Sequence, residues 1–374
     1  MSMSEKRIRV GIIGVNTELG WAKRAHIPAL RSLPDYEITA VGTSRIESAR
    51  AAAAHFGVAH AFADARQLAE HPEVDLVAVT VKVPHHLELV QAALAAGKHV
   101  YCEWPLARIT EEAEALASAA EAAGVHHAIG LQTRYVPAVL RARELIEEGY
   151  LGELTSVTVY SGRAKGAGDR MPEWAVYTLD RTNGAGTLEV AGGHTLDAVQ
   201  HLTGELARVQ AELSVRRTSY LVGETSERVS VTSPDQVLLG GTLPGGAVVS
   251  AHIHDGKVAG AGTRVELAGT EGVLVLESTG PAGPSGIQMG ELRLLGSRTI
   301  VGELAELPLP TRLFAVGAAE SGLEGFHVAQ LYARLAADLR SGERTVPDFT
   351  DGLRLHRLLD AVRRSDATGQ RQRL

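Results

Sequence analysis

The sequence predicts an α/β protein: an N-terminal Rossmann-type, doubly wound parallel sheet, then a C-terminal α/β domain with an open, mostly antiparallel sheet. Three observations carry this. Up to about residue 130, short β-branched apolar runs alternate with alanine-rich helical periods, as parallel strands and their crossover helices do. The first run leads through Gly14 and Gly20 into a helix, as a dinucleotide-binding turn does. Beyond residue 150 the strands lengthen and alternate in polarity. The division is expected at 1–130 and 131–374, with the last helix packing back on the first domain.

A chain of 374 residues exceeds one ordinary core, and 45% apolar with 22% charged residues suits a folded globular protein. A net charge of −7 and a pI near 6.1 argue against general affinity for nucleic acid or an anionic membrane. No apolar run approaches the roughly 20 residues that span a bilayer, and Ile8 to Ile13 is too short for a signal-peptide core. The single cysteine, Cys102, excludes an intramolecular disulfide and fits a reducing cytoplasm, the expected location.

In the first domain, strands are expected at Arg7 to Ile13, Glu37 to Val41, Leu76 to Val81, His99 to Cys102 and His127 to Gly130. Helices fall between them at Ala22 to Ser32, Ile46 to Phe56, His86 to Ala96 and Ile109 to Ala123. Right-handed crossovers then put ligands at the strand C-terminal ends. A helix from Pro137 to Glu148 leads into strands at Leu154 to Ser161, Arg208 to Val215, Asp235 to Thr242 and Val248 to Ile253. Helices at Leu188 to Leu202 and Phe326 to Ser341 interrupt the sheet, and one from Thr350 to Arg364 closes the chain. Gly162 to Gly168 and Gly280 to Gly286 read as loops.

The run Gly11-Ile12-Ile13-Gly14-Val15-Asn16-Thr17-Glu18-Leu19-Gly20-Trp21 has the strand, turn and helix context of a dinucleotide loop without its full glycine pattern, because Asn16 and Leu19 replace glycines. Gly14, Asn16, Thr17, Gly20 and Trp21 are the candidate contacts there. After the second strand, Thr43-Ser44-Arg45 lacks the acid that holds both ribose hydroxyls of NAD. Ser44 and Arg45 suit a 2′-phosphate, which favours NADP over NAD; in the alternative, Arg45 opens the next helix and faces solvent. Val81 and Glu103, at the ends of later strands, and His86, which opens the helix after the third, complete the cofactor candidates. Fifteen histidines offer no ligand-like pair, and no metal is expected.

Several stretches converge: Trp21-Ala22-Lys23-Arg24-Ala25-His26-Ile27-Pro28, Val83-Pro84-His85-His86, Glu103-Trp104-Pro105, Gly149-Tyr150-Leu151-Gly152-Glu153 and Pro347-Asp348-Phe349. In this order they resemble the Gfo/Idh/MocA family of glucose-fructose oxidoreductases and inositol dehydrogenases, over nearly the whole chain. The resemblance implies NAD(P), a sugar or polyol pocket and hydride transfer at a secondary alcohol. It also implies a catalytic lysine in Glu-Lys-Pro and a segment Asp-x-Gly-x-His-x-x-Asp. Here Trp104 stands for that lysine, and Val190-Ala191-Gly192-Gly193-His194-Thr195-Leu196-Asp197 keeps His194 and Asp197 but puts Val190 at the catalytic aspartate. This departure looks like the galactose-regulon repressor branch of yeasts, which lacks the lysine and acts through a protein partner.

Neither Trp104 nor Val190 exchanges a proton near neutral pH, so the chemistry falls to other groups. His194 is the candidate acid/base, Asp197 a neighbour on the same helix face, and Lys82 a replacement amine. Trp104, Lys165, Tyr177 and His201 are candidate substrate contacts; the Trp104 indole suits stacking on the apolar face of a sugar. Two readings stand: an NADP-preferring oxidoreductase of a sugar-like substrate, or a silent dinucleotide sensor that reports to a protein partner. A homo-oligomer, dimer or tetramer, is expected in either case.

Overall fold

Continuous burial on both faces selects the strands of the first sheet: Val10, Ile12 and every residue of Leu76–Val79 are fully buried. Strands β1 (Ile8–Ile13), β2 (Tyr36–Gly42), β3 (His60–Phe62), β4 (Leu76–Val79), β5 (His99–Cys102) and β6 (His127–Ile129) pair in parallel in the order β3-β2-β1-β4-β5-β6. The direction of winding reverses between β1 and β4, and the crevice at such a switch point is where α/β sheets bind ligands. The computed structural model describes residues 6–280, 285–299, 302–322 and 324–374.

Helices α1 (Ile27–Arg31), α2 (Ile46–Phe56), α3 (Ala65–Glu70), α4 (His86–Ala95) and α5 (Thr110–Ala123) connect these strands. In α2, Ala49, Ala52, Ala53 and Phe56 form the buried stripe, and the helix stops at Gly57 in the left-handed region. The expected single helix from Ala22 to Ser32 instead begins as a π turn over Ala22–His26 before α1. Pro28 has no amide to give, and Ile27 N–H reaches back to Ala22 O instead. β3 and α3 were not anticipated. A strand of three residues is too short to alternate, and α3 depends on Asp64, whose carboxylate caps Arg66 N–H at 2.7 Å.

The chain forms two compact units, Met1–Gln132 with Ala315–Arg354, and Thr133–Phe314 with Leu355–Leu374. The late segment of the first unit carries α8 (Ala318–Ser321) and α9 (Phe326–Ser341). Tyr332 of α9, fully buried, stacks on Tyr101 of β5 with ring centroids 4.7 Å apart.

In the second unit, α6 (Pro137–Glu147) precedes β7 (Leu154–Gly162) and β8 (Arg170–Met171). A π turn over Leu188–Gly192 then runs into α7 (Gly193–Thr203). The remaining strands are β9 (Arg208–Ser214), β10 (Ser219–Val222), β11 (Arg228–Ser230), β12 (Gln236–Thr242), β13 (Val248–His254), β14 (Gly262–Gly269), β15 (Val273–Thr279), β16 (Glu291–Ser297), β17 (Ala305–Glu306) and β18 (Gln372–Arg373). The final helix is α10 (Phe349–Thr368). The large sheet runs β17-β16-β15-β14-β7-β13-β12-β9-β18, antiparallel except at β7–β13. Val237, Leu239, Val249, Ala251 and Ile253 fill one face; Leu238 and Val248, 51% and 57% exposed, stand on the other. Of the expected Gly280 to Gly286 loop, residues 281–284 lie outside the described residues. Among the described residues no helix is long and apolar enough to cross a membrane.

Candidate functional site

The C-terminal ends of β1, β2 and β4 open into a cleft of about 650 Å³ within the first unit, a size typical of small-molecule sites. Gly14 forms its floor. A Cβ built there meets Val81 Cγ1 at 2.8 Å and Thr80 Oγ1 at 3.0 Å, and the backbone has φ 103°, so only glycine brings the chain this close. Gly20 shares that φ, but a Cβ there would meet only Asn16 Cβ, at an unstrained 3.9 Å, so conformation alone selects it. Asn16 replaces a glycine of the usual motif and builds the turn by another route: its Oδ1 accepts Glu18 N–H at 2.7 Å and Leu19 N–H at 3.0 Å. Lys23 Nζ donates to Thr17 O at 2.6 Å and fastens the same loop to the following helix.

At the end of β2, Thr43 Oγ1 accepts Arg45 N–H at 3.3 Å and lies 2.6 Å from Ser48 Oγ. Ser44 and Arg45 are exposed on the cleft rim, and Arg45 makes no ion pair among the described residues. At the end of β4, Thr80 Oγ1 donates to Ile13 O at 2.8 Å, and Val81 and exposed Lys82 follow it along the cleft.

Gly14, Asn16, Thr17, Gly20, Ser44, Arg45, Val81 and Lys82 are thus brought together in one cleft. Trp21, His86 and Glu103 lie outside its lining. His86 is buried, its ring nitrogens 2.9 Å from Pro105 O and 3.0 Å from Val81 O, and burial holds it below the ordinary histidine range. His85, its neighbour, lines the cleft instead. Glu103 Oε1 is 2.9 Å from His26 Nε2, whose Nδ1 is 2.9 Å from Tyr332 OH, which anchors the end of β5 to α9. Trp104, in the next position, is buried. Thr43, Ser48, Thr80, Glu88 and Leu89 line the cleft without having been singled out; Thr80 carried a signal, because it directly follows an apolar strand.

The second unit holds the other candidates. His194 is buried in the first turn of α7, and half-buried Val190 belongs to the preceding π turn. Asp197 is buried and clamped by Arg134, with Nε 3.1 and 3.0 Å from its two oxygens and Nη2 2.5 Å from Oδ1. His201 lies at the surface beside Arg143, 3.2 Å from Nη1. Tyr177 is half-buried, and burial raises its phenol.

Lys165 reaches inward from the loop after β7 and donates to Thr178 Oγ1 at 2.7 Å. Burial, with the repulsion of Arg163, lowers its amine to about 8. Arg163 is fully engaged with Asp255, at 2.6 and 2.8 Å, and Asp255 also accepts Thr187 Oγ1 at 2.7 Å, so Lys165 is the surplus cation of the cluster.

Residues 8–131 match the Gfo/Idh/MocA family, described as an oxidoreductase family with an NAD-binding Rossmann fold, and residues 137–278 match the Gal80p C-terminal domain. The chain is 40% identical to dehydrogenase aclE of Aspergillus oryzae over 219 residues, which is 56% of this chain and only 58% of that relative. It is 29% identical to the galactose/lactose metabolism regulatory protein GAL80 of Saccharomyces cerevisiae across 97% of this chain and 93% of the relative. The crystal structure of a super-repressor mutant of the same Gal80p aligns with a TM-score of 0.86 at 26% identity, covering 98% of each chain. Levoglucosan dehydrogenase of Pseudarthrobacter phenanthrenivorans is 30% identical over 56% of this chain and 54% of its own.

Proposed function

The chain belongs to the Gfo/Idh/MocA oxidoreductase family, and from that premise we propose that it is an NADP-preferring oxidoreductase acting on a sugar, polyol or related carbonyl compound. The cleft carries this reading. Gly14 leaves room for close backbone approach to a pyrophosphate. The end of β2 offers Ser44 and an Arg45 without an ion pair among the described residues, and no acid, which suits a ribose bearing a 2′-phosphate. Levoglucosan dehydrogenase and dehydrogenase aclE, as relatives, support the sugar-like substrate and the reaction class.

Bound in the cleft, an oxidised nicotinamide supplies the acceptor for a hydride from the substrate's carbinol carbon. The O–H proton released with it must pass to a protein base. His194 takes that role, and an amine, Lys82 or Lys165, replaces the family lysine. Lys165, at about 8, can hold or release a proton near neutral pH. Asp197, committed to Arg134, orients α7 and with it His194. Trp104, Tyr177 and His201 are assigned to the substrate, and Glu103, through His26, to holding the end of β5. The exposed sheet face bearing Leu238 and Val248 is assigned to a homo-oligomeric contact.

A second reading has its own support. Trp104 and Val190 replace two of the family's three usual catalytic groups, and the likeness to GAL80, a regulatory protein, spans 97% of the chain. In that reading the protein binds dinucleotide and signals through a partner. Turnover of NADP(H) with a panel of sugars, keto-sugars and polyols separates the two. The enzyme reading expects turnover by the natural protein. Silence there, with activity in a Trp104→Lys, Val190→Asp double variant, supports the regulator.

A further inference from the structure

The histidines show no ligand spacing along the sequence, but the fold gathers two of them with a carboxylate. His60 opens β3, His71 follows α3, and Glu73 lies in the turn before β4. His60 Nε2 is 2.6 Å from Glu73 Oε2, and the His60 and His71 ring centroids are 4.1 Å apart. One donor atom from each of the three lies within 4.8 Å of the other two. We propose that His60, His71 and Glu73 form a divalent transition-metal site of the zinc class, completed by water.

Two imidazole nitrogens and one carboxylate oxygen are a donor set that zinc accepts with an open fourth position. Bonds of about 2.0–2.2 Å place tetrahedral donors roughly 3.3 Å apart, so the cluster closes by side-chain rotation. The backbone beneath it is already fixed: His60 pairs with Ala40 of β2, and Lys98 Nζ donates to His71 O at 3.3 Å and to Val74 O at 2.8 Å. The His60 and Glu73 side chains, 32% and 54% exposed, leave an entry path. Two contacts oppose binding. The hydrogen bond between His60 Nε2 and Glu73 Oε2, at 2.6 Å, must open and release its proton before both atoms ligate. Glu73 N–H donates to His71 Nδ1 at 3.2 Å, and ligation through His71 requires the ring to give up that bond or change tautomer. Moderate rather than tight affinity follows. The site lies at the N-terminal ends of β3 and β4, opposite the strand ends that form the dinucleotide cleft, so it does not depend on the proposed function.

The test uses full-length, tag-free protein stripped with a chelator, titrated with Zn²⁺ by calorimetry and with Co²⁺ by visible absorption. One equivalent of Co²⁺ should give d–d bands, and Zn²⁺ should raise Tm. His60→Ala and Glu73→Gln, each checked for native circular dichroism, should weaken binding at least about tenfold. Failure of the natural protein to bind either ion saturably overturns the assignment, as does unchanged affinity and stoichiometry in both variants.

Discussion

Arg134 clamps both oxygens of Asp197, its Nε lying 3.1 and 3.0 Å from them, so a residue of the family's His-x-x-Asp pattern has its carboxylate committed to an ion pair. With both groups largely withdrawn from solvent, removing one partner leaves a buried charge uncompensated. Asp197→Ala is expected to lower stability by about 3 kcal/mol, and Asp197→Ala with Arg134→Met by clearly less than the sum of the single changes. Urea unfolding of the double-mutant cycle measures this; additive losses would show that the pair is not coupled.

Gly14→Ala places a methyl 2.8 Å from Val81 Cγ1 in a backbone conformation that L residues avoid. The substitution should cost about 1–3 kcal/mol of stability and abolish detectable dinucleotide binding. Gly20→Ala, at the same φ but with no clash for the added methyl, should lose stability while retaining most of the binding, as a fluorescence titration can establish.

Lys165 links stability to alkaline pH. Its folded pKa of about 8 lies below the ordinary lysine value, so between those values the unfolded chain binds a proton that the folded chain does not. Stability from this group therefore rises as pH climbs above about 8 and is lost as pH falls back through it. The full shift corresponds to about 3 kcal/mol, reduced to about 1–2 because the side chain is partly exposed. Lys165→Met should remove this slope. Parallel pH–stability curves for the two proteins would show that Lys165 titrates normally.

His86 works in the acid range with the same sign. Its pKa is depressed by burial, so its contribution is complete above the ordinary histidine value and declines as pH falls below about 6.5. His86→Gln should be less stable at neutral pH yet lose less on acidification, which thermal melts across that range would reveal.

The extent to which the sequence disclosed this molecule depends on the range of each interaction. Helix α2 follows from an alanine stripe ending at Gly57, β4 from an unbroken apolar run and β1 from one interrupted only by Arg9, all local signals. β3 left no such mark, because its three residues are specified by pairing with β2. β14, in contrast, alternates through Thr263, Arg264, Val265, Glu266 and Leu267, a local pattern legible in the sequence. At the site, Gly14 and Arg45 were readable from strand-turn-helix order. That His85 and not His86 lines the cleft depends on where α4 begins, and no sequence spacing discloses that Arg134 meets Asp197, or His60 meets Glu73.

The central claim, a dinucleotide cleft that prefers a 2′-phosphate, is tested most directly by titrating NADPH and NADH into the natural protein and Arg45→Ala. The account predicts tighter NADPH binding, by about ten- to a hundredfold as expected for a charge-assisted contact, and near-equal affinities in the variant. NADH binding as tightly as NADPH in the natural protein, or a preference that survives the loss of Arg45, would contradict it.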